Sequence, residues 1–294
     1  MSRLLRLVSF VLVSLALIAP AHAQKEEMRE LRFAVTDVVG LETLQREWGP
    51  FQKTLESRTG LKIAFFAVNN RTAAAEALRA KRLDLVFTGP AEYVVMRART
   101  DAVPVIALQR VDYYPNVVVR ADSGITDVSA LKGKKVAFGP IGSTSRHLGP
   151  MQLLADLGLN PRSEIQPLHV NPNVGLEALK RGDIAAMGMN YTDYQKLRER
   201  DPGTPYFVLA RGRDLPLDLI LAGSHVDRAV ADKVRKAIAE NAAEMSKAIL
   251  AGEGENVKFK GMVWVPTIRD EDYNYVRKMY ATIGQKQFSE FVGD

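Results

Sequence analysis

Short apolar runs that suit buried strands alternate along this chain with amphipathic stretches at helical spacing, and that order restricts the fold to a narrow class. Leu31 to Val35 is such a run, after which Leu41, Leu44, Trp48, Phe51 and Leu55 recur on one helix face up to about Ser57. Lys62 to Val68 reads as a strand, Thr72 to Ala80 as an Ala-rich helix, and Leu83 to Phe87 as a buried strand. Val117 to Arg120, Val136 to Phe138, Ile165 to Val170 and Ile184 to Met187 continue the strands, with helices expected at about Ser145 to Leu157 and Val174 to Arg181. Gly158 and Pro161 end the first of those helices. Val226 to Leu250 reads as one long helix and Glu271 to Ile283 as another. Such an order predicts an α/β fold, with mostly parallel sheets and helices on both faces. A length of 294 residues leaves room for about two domains.

The two halves also resemble each other. Glu76-Ala77-Leu78 through Tyr93 aligns without a gap on Glu177-Ala178-Leu179 through Tyr194, 18 residues in each copy and 101 apart. In both, a helix leads through a polar turn into a buried strand, and a loop with polar and aromatic groups is expected after it. Ala-rich helices can match by their generic pattern alone; taken with the strand order, the echo suggests two similar α/β lobes.

Arg3 and Arg6 precede the apolar run Leu7 to Leu17, and Ala21-His22-Ala23 places small residues at the cleavage positions before Gln24. The run is shorter than the ~20 residues a spanning helix needs, so residues 1–23 are expected to be a cleaved signal peptide. The mature chain, Gln24 to Asp294, is then expected in the periplasm without membrane insertion. The absence of cysteine excludes a disulfide framework, Cys-ligated metal and a Cys nucleophile. Losing Arg3 and Arg6 lowers the formal charge from +6 to +4, a balance that slightly favours a small anionic ligand. The densest basic run, Lys132-Gly133-Lys134-Lys135, has no interleaved aromatics to stack bases, which argues against nucleic acid.

Enzymatic signatures are missing. His147, His169 and His225 stand apart and read as isolated surface residues, with no metal-ligand spacing, nucleophile elbow or phosphate-binding P-loop in the chain. No catalytic residue, metal or cofactor is expected. The segment Phe138-Gly139-Pro140-Ile141-Gly142-Ser143-Thr144-Ser145-Arg146-His147 is different, because it follows a strand, turns on glycines and opens a helix with three hydroxyl residues. Helix-initial N–H groups lack intrahelical partners, the macrodipole is positive there, and hydroxyls donate to oxyanions. Arg146 can add a charge-assisted bond. A helix cap accounts for one of these hydroxyls and not for three, so capping and anion binding both stay open on the motif alone.

The order of several motifs resembles the phosphate/phosphite/phosphonate substrate-binding proteins of ABC importers. They are Leu83-Asp84-Leu85-Val86-Phe87-Thr88-Gly89-Pro90-Ala91-Glu92-Tyr93, Tyr113-Tyr114 before Val117 to Ile125, Leu131 to Phe138, and Gly142-Ser143-Thr144-Ser145. The resemblance runs from about Leu31 to Leu250. It implies the type II periplasmic-binding-protein fold: two α/β lobes, about 30–114 plus 222–294 and about 115–221, joined by two crossover strands. It also implies an oxyanion held by Ser143, Thr144 and Ser145, with Tyr93 as a further contact. Topology adds Asn190 and Tyr191 beyond a strand of the second lobe.

Two departures from the family pattern bear on the ligand. Arg71 stands where a ligand-binding Tyr is usual, and Asn171-Pro172-Asn173 where a His is usual; Arg146 also replaces a common Gly. Guanidinium forks suit a compact, highly charged oxyanion such as phosphate or arsenate, although Arg71 and Arg146 could equally pair with surface carboxylates. The expected role is capture of a small oxyanion by a monomeric periplasmic protein that delivers it to an ABC permease. The alternative is the same fold read by the periplasmic domain of a sensor kinase.

Overall fold

A computed structural model of the chain describes residues 30–252, 254–285 and 287. The expected signal peptide at 1–23 lies outside the described residues.

The elements are β1 (Glu30–Val35), α1 (Leu41–Thr59), β2 (Lys62–Phe65), α2 (Arg71–Arg79), β3 (Leu85–Thr88), α3 (Pro90–Thr100), β4 (Val103–Gln109) and β5 (Pro115–Arg120). There follow β6 (Lys135–Phe138), α4 (Gly149–Asp156), β7 (Gln166–His169), α5 (Pro172–Arg181), β8 (Ala186–Asn190), α6 (Tyr191–Arg200) and β9 (Tyr206–Arg211). The chain closes with β10 (Asp218–Ala222), α7 (Arg228–Glu240), α8 (Ala242–Leu250), β11 (Val263–Val265) and α9 (Asn274–Thr282). They form two α/β lobes, one on a six-stranded sheet of order β11-β4-β10-β3-β1-β2 and one on a five-stranded sheet of order β7-β6-β8-β5-β9.

Direction within the sheets follows from the crossings. β1 runs parallel to β2 and β3, and β6 parallel to β7 and β8. β5 and β10, the strands that receive the chain from the other lobe, run antiparallel to their neighbours. A strand that arrives from the opposite lobe starts at the cleft, whereas the parallel strands end there, so reversal is forced. The first lobe is built around an aromatic core in which Trp48 lies 4.8 Å from Phe87 and edge-on to Phe51 at 5.6 Å. All three rings are buried.

Several elements differ from the sequence reading. Helices, not loops, follow β3 and β8: Pro90 fits the first turn, where no N–H is needed, and the Asn190 side chain caps α6 by accepting from Asp193 N at 2.8 Å. The expected single helix to Leu250 breaks at Asn241, whose Nδ2 donates to Ala237 O and leaves α7 and α8 each free to turn an apolar face onto α1. The helix after β6 opens with a π turn, Thr144–Leu148, before α4. The repeated segments do share geometry: Arg82 N bonds Ala77 O at 2.8 Å, and Asp183 N bonds Ala178 O at 2.9 Å, 101 residues on.

The two crossing segments lie side by side, with Gly212 N donating to Pro115 O and Leu215 N to Tyr113 O, both at 2.8 Å. The return begins ahead of residue 222, because Asp218 to Ala222 already pair with β3 and β4. A third tie comes from α9, which touches both lobes: Tyr280 OH donates to Ala91 O, while Thr282 Oγ1 donates to Gln152 Oε1 and Lys278 pairs with Asp156. At the hinge, a Cβ on Gly212 would lie 2.6 Å from Pro115 Cγ. Gly212→Ala is therefore expected to lower unfolding stability by about 1–3 kcal/mol through overpacking, read from urea denaturation midpoints.

Candidate functional site

The carboxyl ends of β1, β2 and β3 in one lobe and of β6, β7 and β8 in the other face a common cleft. The N-termini of α2, α3, α5 and α6 and of the π turn consequently gather there, each with positive dipole end inward. The cleft holds an outer cavity of about 500 Å³ and a deep pocket of about 30 Å³, which share Asp37, Arg71, Gly89, Arg146, Asp218 and Lys258. The outer cavity has apolar wall from Val38, Trp48, Phe87 and Phe259.

Ser143, Thr144 and Ser145 are all buried and all line the deep pocket. Gly142, at φ 85°, turns the loop so that these three open the π turn. Thr144 Oγ1 accepts from Ala91 N across the lobes at 3.0 Å, and Ser145 Oγ accepts from Asn190 Nδ2 at 3.3 Å. Thr144 and Ser145 thereby each have one lone pair engaged and the hydroxyl proton left to donate. The helix-initial N–H groups beside them have no intrahelical partner.

Four cations and three carboxylates surround the deep pocket. Arg71 pairs with Glu92 through Nε and with Asp37 through Nη2 at 2.5 Å. Arg110 holds Asp218 at 2.8 Å and lies over the Tyr113 ring, 3.4 Å from its centroid. Arg146 forks onto Asp193 through Nε at 2.6 Å and Nη2 at 2.8 Å, and Lys258 Nζ lies 3.4 Å from Asp37. Burial pushes Asp218 up to about 6 despite the charges of Arg110 and Lys258. Burial likewise raises Glu92, and Arg71 only partly offsets it. The lobes are further joined by Glu255 of the first, which meets Lys196 at 2.9 Å and Arg146 at 3.5 Å in the second.

Of the residues singled out from sequence, Ser143, Thr144, Ser145, Arg71, Arg146 and Asn190 meet in this pocket. Tyr93 and Tyr191 do not. Tyr93 is buried against Tyr273, with ring centroids 4.3 Å apart, and its hydroxyl donates to Asp270. Tyr191 sits beside Tyr114 and accepts from Gln195, outside both cavities. Asn171 reaches the outer cavity and caps α5. Sequence reasoning missed Asp37, Glu92, Arg110, Asp218 and Lys258, which arrive from five separate segments and carry no common motif. Among the described residues no cluster of His, Cys, Asp or Glu is suited to a metal ion, and no helix is long and apolar enough to cross a membrane.

Two of the histidines differ from the surface reading, while His169 is exposed as expected. His225 pairs with the buried Asp84 at 3.0 Å. His147 is buried, its ring 4.5 Å from that of His169, and its Nδ1 accepts from Gly142 N at 3.0 Å. His169 Nδ1 lies 3.2 Å from Gly139 O, so two imidazoles brace the loop that presents the three hydroxyls.

The family model described as an ABC transporter phosphonate, periplasmic substrate-binding protein matches residues 33–264. The chain is 29% identical over 129 residues to the phosphonates-binding periplasmic protein of Escherichia coli K12, covering 42% of this chain and 38% of that one. It is 32% identical over 123 residues to the phosphate-import protein PhnD of Mycolicibacterium smegmatis, covering 40% and 38%. Each alignment thus spans under two fifths of the relative's length. Among solved structures, PhnD1 of Prochlorococcus marinus in complex with methylphosphonate superposes with a TM-score of 0.69 at 16% identity, covering 87% of this chain and 98% of that one. This likeness establishes the fold.

Burial, with a smaller contribution from His169, holds the His147 imidazole down at about 3, against an ordinary value near 6.5. The unfolded chain therefore binds a proton between pH 6.5 and 3 that the native one refuses, and this stability is present above pH 6.5 and lost as pH falls toward 3. His147→Gln is expected to remove about 1.4 kcal/mol per pH unit from that slope, measured as denaturant midpoints across the window.

Proposed function

Because the chain belongs to the family of phosphonate periplasmic substrate-binding proteins of ABC transporters, we propose that it captures a phosphorus oxyanion in the cleft and presents it to an ABC permease. The observation that carries this reading is the convergence of Ser143, Thr144 and Ser145, at a helix start, with Arg71, Arg110 and Lys258 from the facing lobe. Hydroxyl and N–H donors fix the orientation of a tetrahedral anion, and the cations neutralise it.

Closure is the mechanism in this reading. The ligand bonds the π turn on one lobe and Arg71 on the other, so it stabilises the closed arrangement more than the open one. Arg71 takes the part first assigned to Tyr93, which is engaged with Asp270. A phosphonate with an organic substituent is favoured over a bare inorganic ion by one observation: the outer cavity of about 500 Å³ continues from the deep pocket and has apolar wall for a substituent to cover.

Changing Ser143 and Thr144 together to Ala removes two donors to an anion, each worth about 1.5–3 kcal/mol. The double variant is expected to bind phosphate or methylphosphonate at least ~100-fold more weakly by calorimetry, with its melting temperature within a few degrees of the parent. Undiminished affinity in the folded double variant would remove the π turn from the site.

A further inference from the structure

One buried carboxylate oxygen in the deep pocket has no donor. Glu92 is 2% exposed; its Oε1 accepts from Arg71 Nε, and its Oε2 has no hydrogen-bond partner. Asp218 differs, since both of its oxygens face Arg110, at 2.8 and 3.3 Å. An ionised carboxylate only accepts, so Oε2 is completed by a group that brings its own proton.

Gly89 lets Oε2 line the deep pocket, because any side chain at that position would collide with it. A Cβ there would lie 2.9 Å from Glu92 Oε2, 3.6 Å from Asp218 Oδ1 and 3.7 Å from Thr144 Oγ1. Two acceptors and one hydroxyl thus border one small volume beside the first turn that presents Thr144. A tetrahedral anion in the deep pocket beside them takes a hydrogen bond from Thr144 on one oxygen and turns another toward Glu92.

We propose that Glu92 selects phosphorus oxyanions that carry an O–H, such as a singly ionised phosphonate or phosphate, and rejects sulfonates and sulfate of the same shape; this rests on the oxyanion reading above. The O–H donates to Oε2, and one proton lies between ligand and carboxylate. A sulfonate offers acceptors on every oxygen, so it meets Oε2 oxygen to oxygen with no proton between them. An ammonium group is the other class of donor. An ammonium brings three donors, whereas Oε2 is the one buried carboxylate oxygen without a partner among the described residues, so the single donor of an O–H fits it better.

The test is calorimetry on the mature chain, stripped of ligand by unfolding and refolding, with methylphosphonate, methanesulfonate and 2-aminoethylphosphonate. The parent protein is expected to prefer methylphosphonate over methanesulfonate by about 100-fold or more, as sites built around a hydrogen bond do. Glu92→Gln keeps an acceptor for Arg71 and places an amide N–H at the Oε2 position. It is expected to bring the two affinities within about threefold, chiefly by gain of the sulfonate. Equal affinities in the parent protein overturn the assignment whether or not the variant folds, while leaving the oxyanion reading intact. Failure of the parent to bind any of the three removes both. A variant that loses only 2-aminoethylphosphonate, with the phosphonate over sulfonate preference unchanged, assigns Oε2 to the ammonium group and overturns the proposal.

Discussion

A guanidinium cannot be taken out of water alone, and the cleft of this protein is arranged around that constraint. Arg71, Arg110 and Arg146 each leave solvent with a carboxylate already in place: Glu92 and Asp37, Asp218, and Asp193 respectively. The desolvation cost of such pairs is large, and removing one partner leaves a buried charge exposed to the full cost. The acids therefore belong to the anion site as much as the bases do. They hold the forks at fixed angles before any ligand arrives and offset the positive charge of the pocket, so that a ligand meets oriented donors and not a bare positive field.

The same requirement explains the topology. Parallel strands ending at the cleft deliver backbone turns and helix starts there, and these supply N–H donors without side-chain charge. Helix starts also carry Arg71, Glu92 and Arg146, and further side-chain charge comes from elsewhere: Arg110 from the first crossing segment, Asp218 from the first residue of the returning strand β10, and Lys258 and Glu255 from the segment after α8. Because β5 and β10 start at the cleft, the crossing segments place Arg110, Tyr113 and Asp218 at the hinge itself. Movement of the lobes and rearrangement of those charges are consequently coupled.

Periodicity made most of the architecture legible. Strands β1, β2, β3, β5, β6, β7 and β8 and the helices α1, α2, α4 and α5 follow from apolar spacing, and the 101-residue echo from the repeated helix, turn and strand; β4, β9, β10 and β11 were not read from it. The hydroxyl triplet was legible for a local reason, since three consecutive hydroxyls after a glycine turn mark a helix start. Tyr93, which the resemblance gave as a contact, lies outside the pocket for an equally local one. The Gly-Pro loop is the start of α3, and successive residues on a helix point about 100° apart, so when Glu92 faces the pocket Tyr93 turns toward Tyr273. The acidic half of the site carries no spacing signal, because its members are single residues on separate elements. Asn241 was equally silent: the composition around it suits a continuous helix, and only the packing of α7 and α8 on α1 reveals the break.

Closure is also set by direct contacts between the lobes. Ala91 N to Thr144 Oγ1 is buried, whereas Glu255 with Lys196 and Arg146 lies at the rim, with the Glu255 side chain 51% exposed. Exposed ion pairs contribute little each, so these rim pairs bias the closed arrangement weakly. That weakness matters, because apparent affinity is the intrinsic affinity multiplied by the fraction of molecules already competent to bind. A strong latch would close the cleft over nothing and shut the ligand out; no latch would make the ligand supply the whole of closure. A partly exposed carboxylate shared between Lys196 and Arg146 sits between those limits, and it can be tuned without altering any group that recognises the anion.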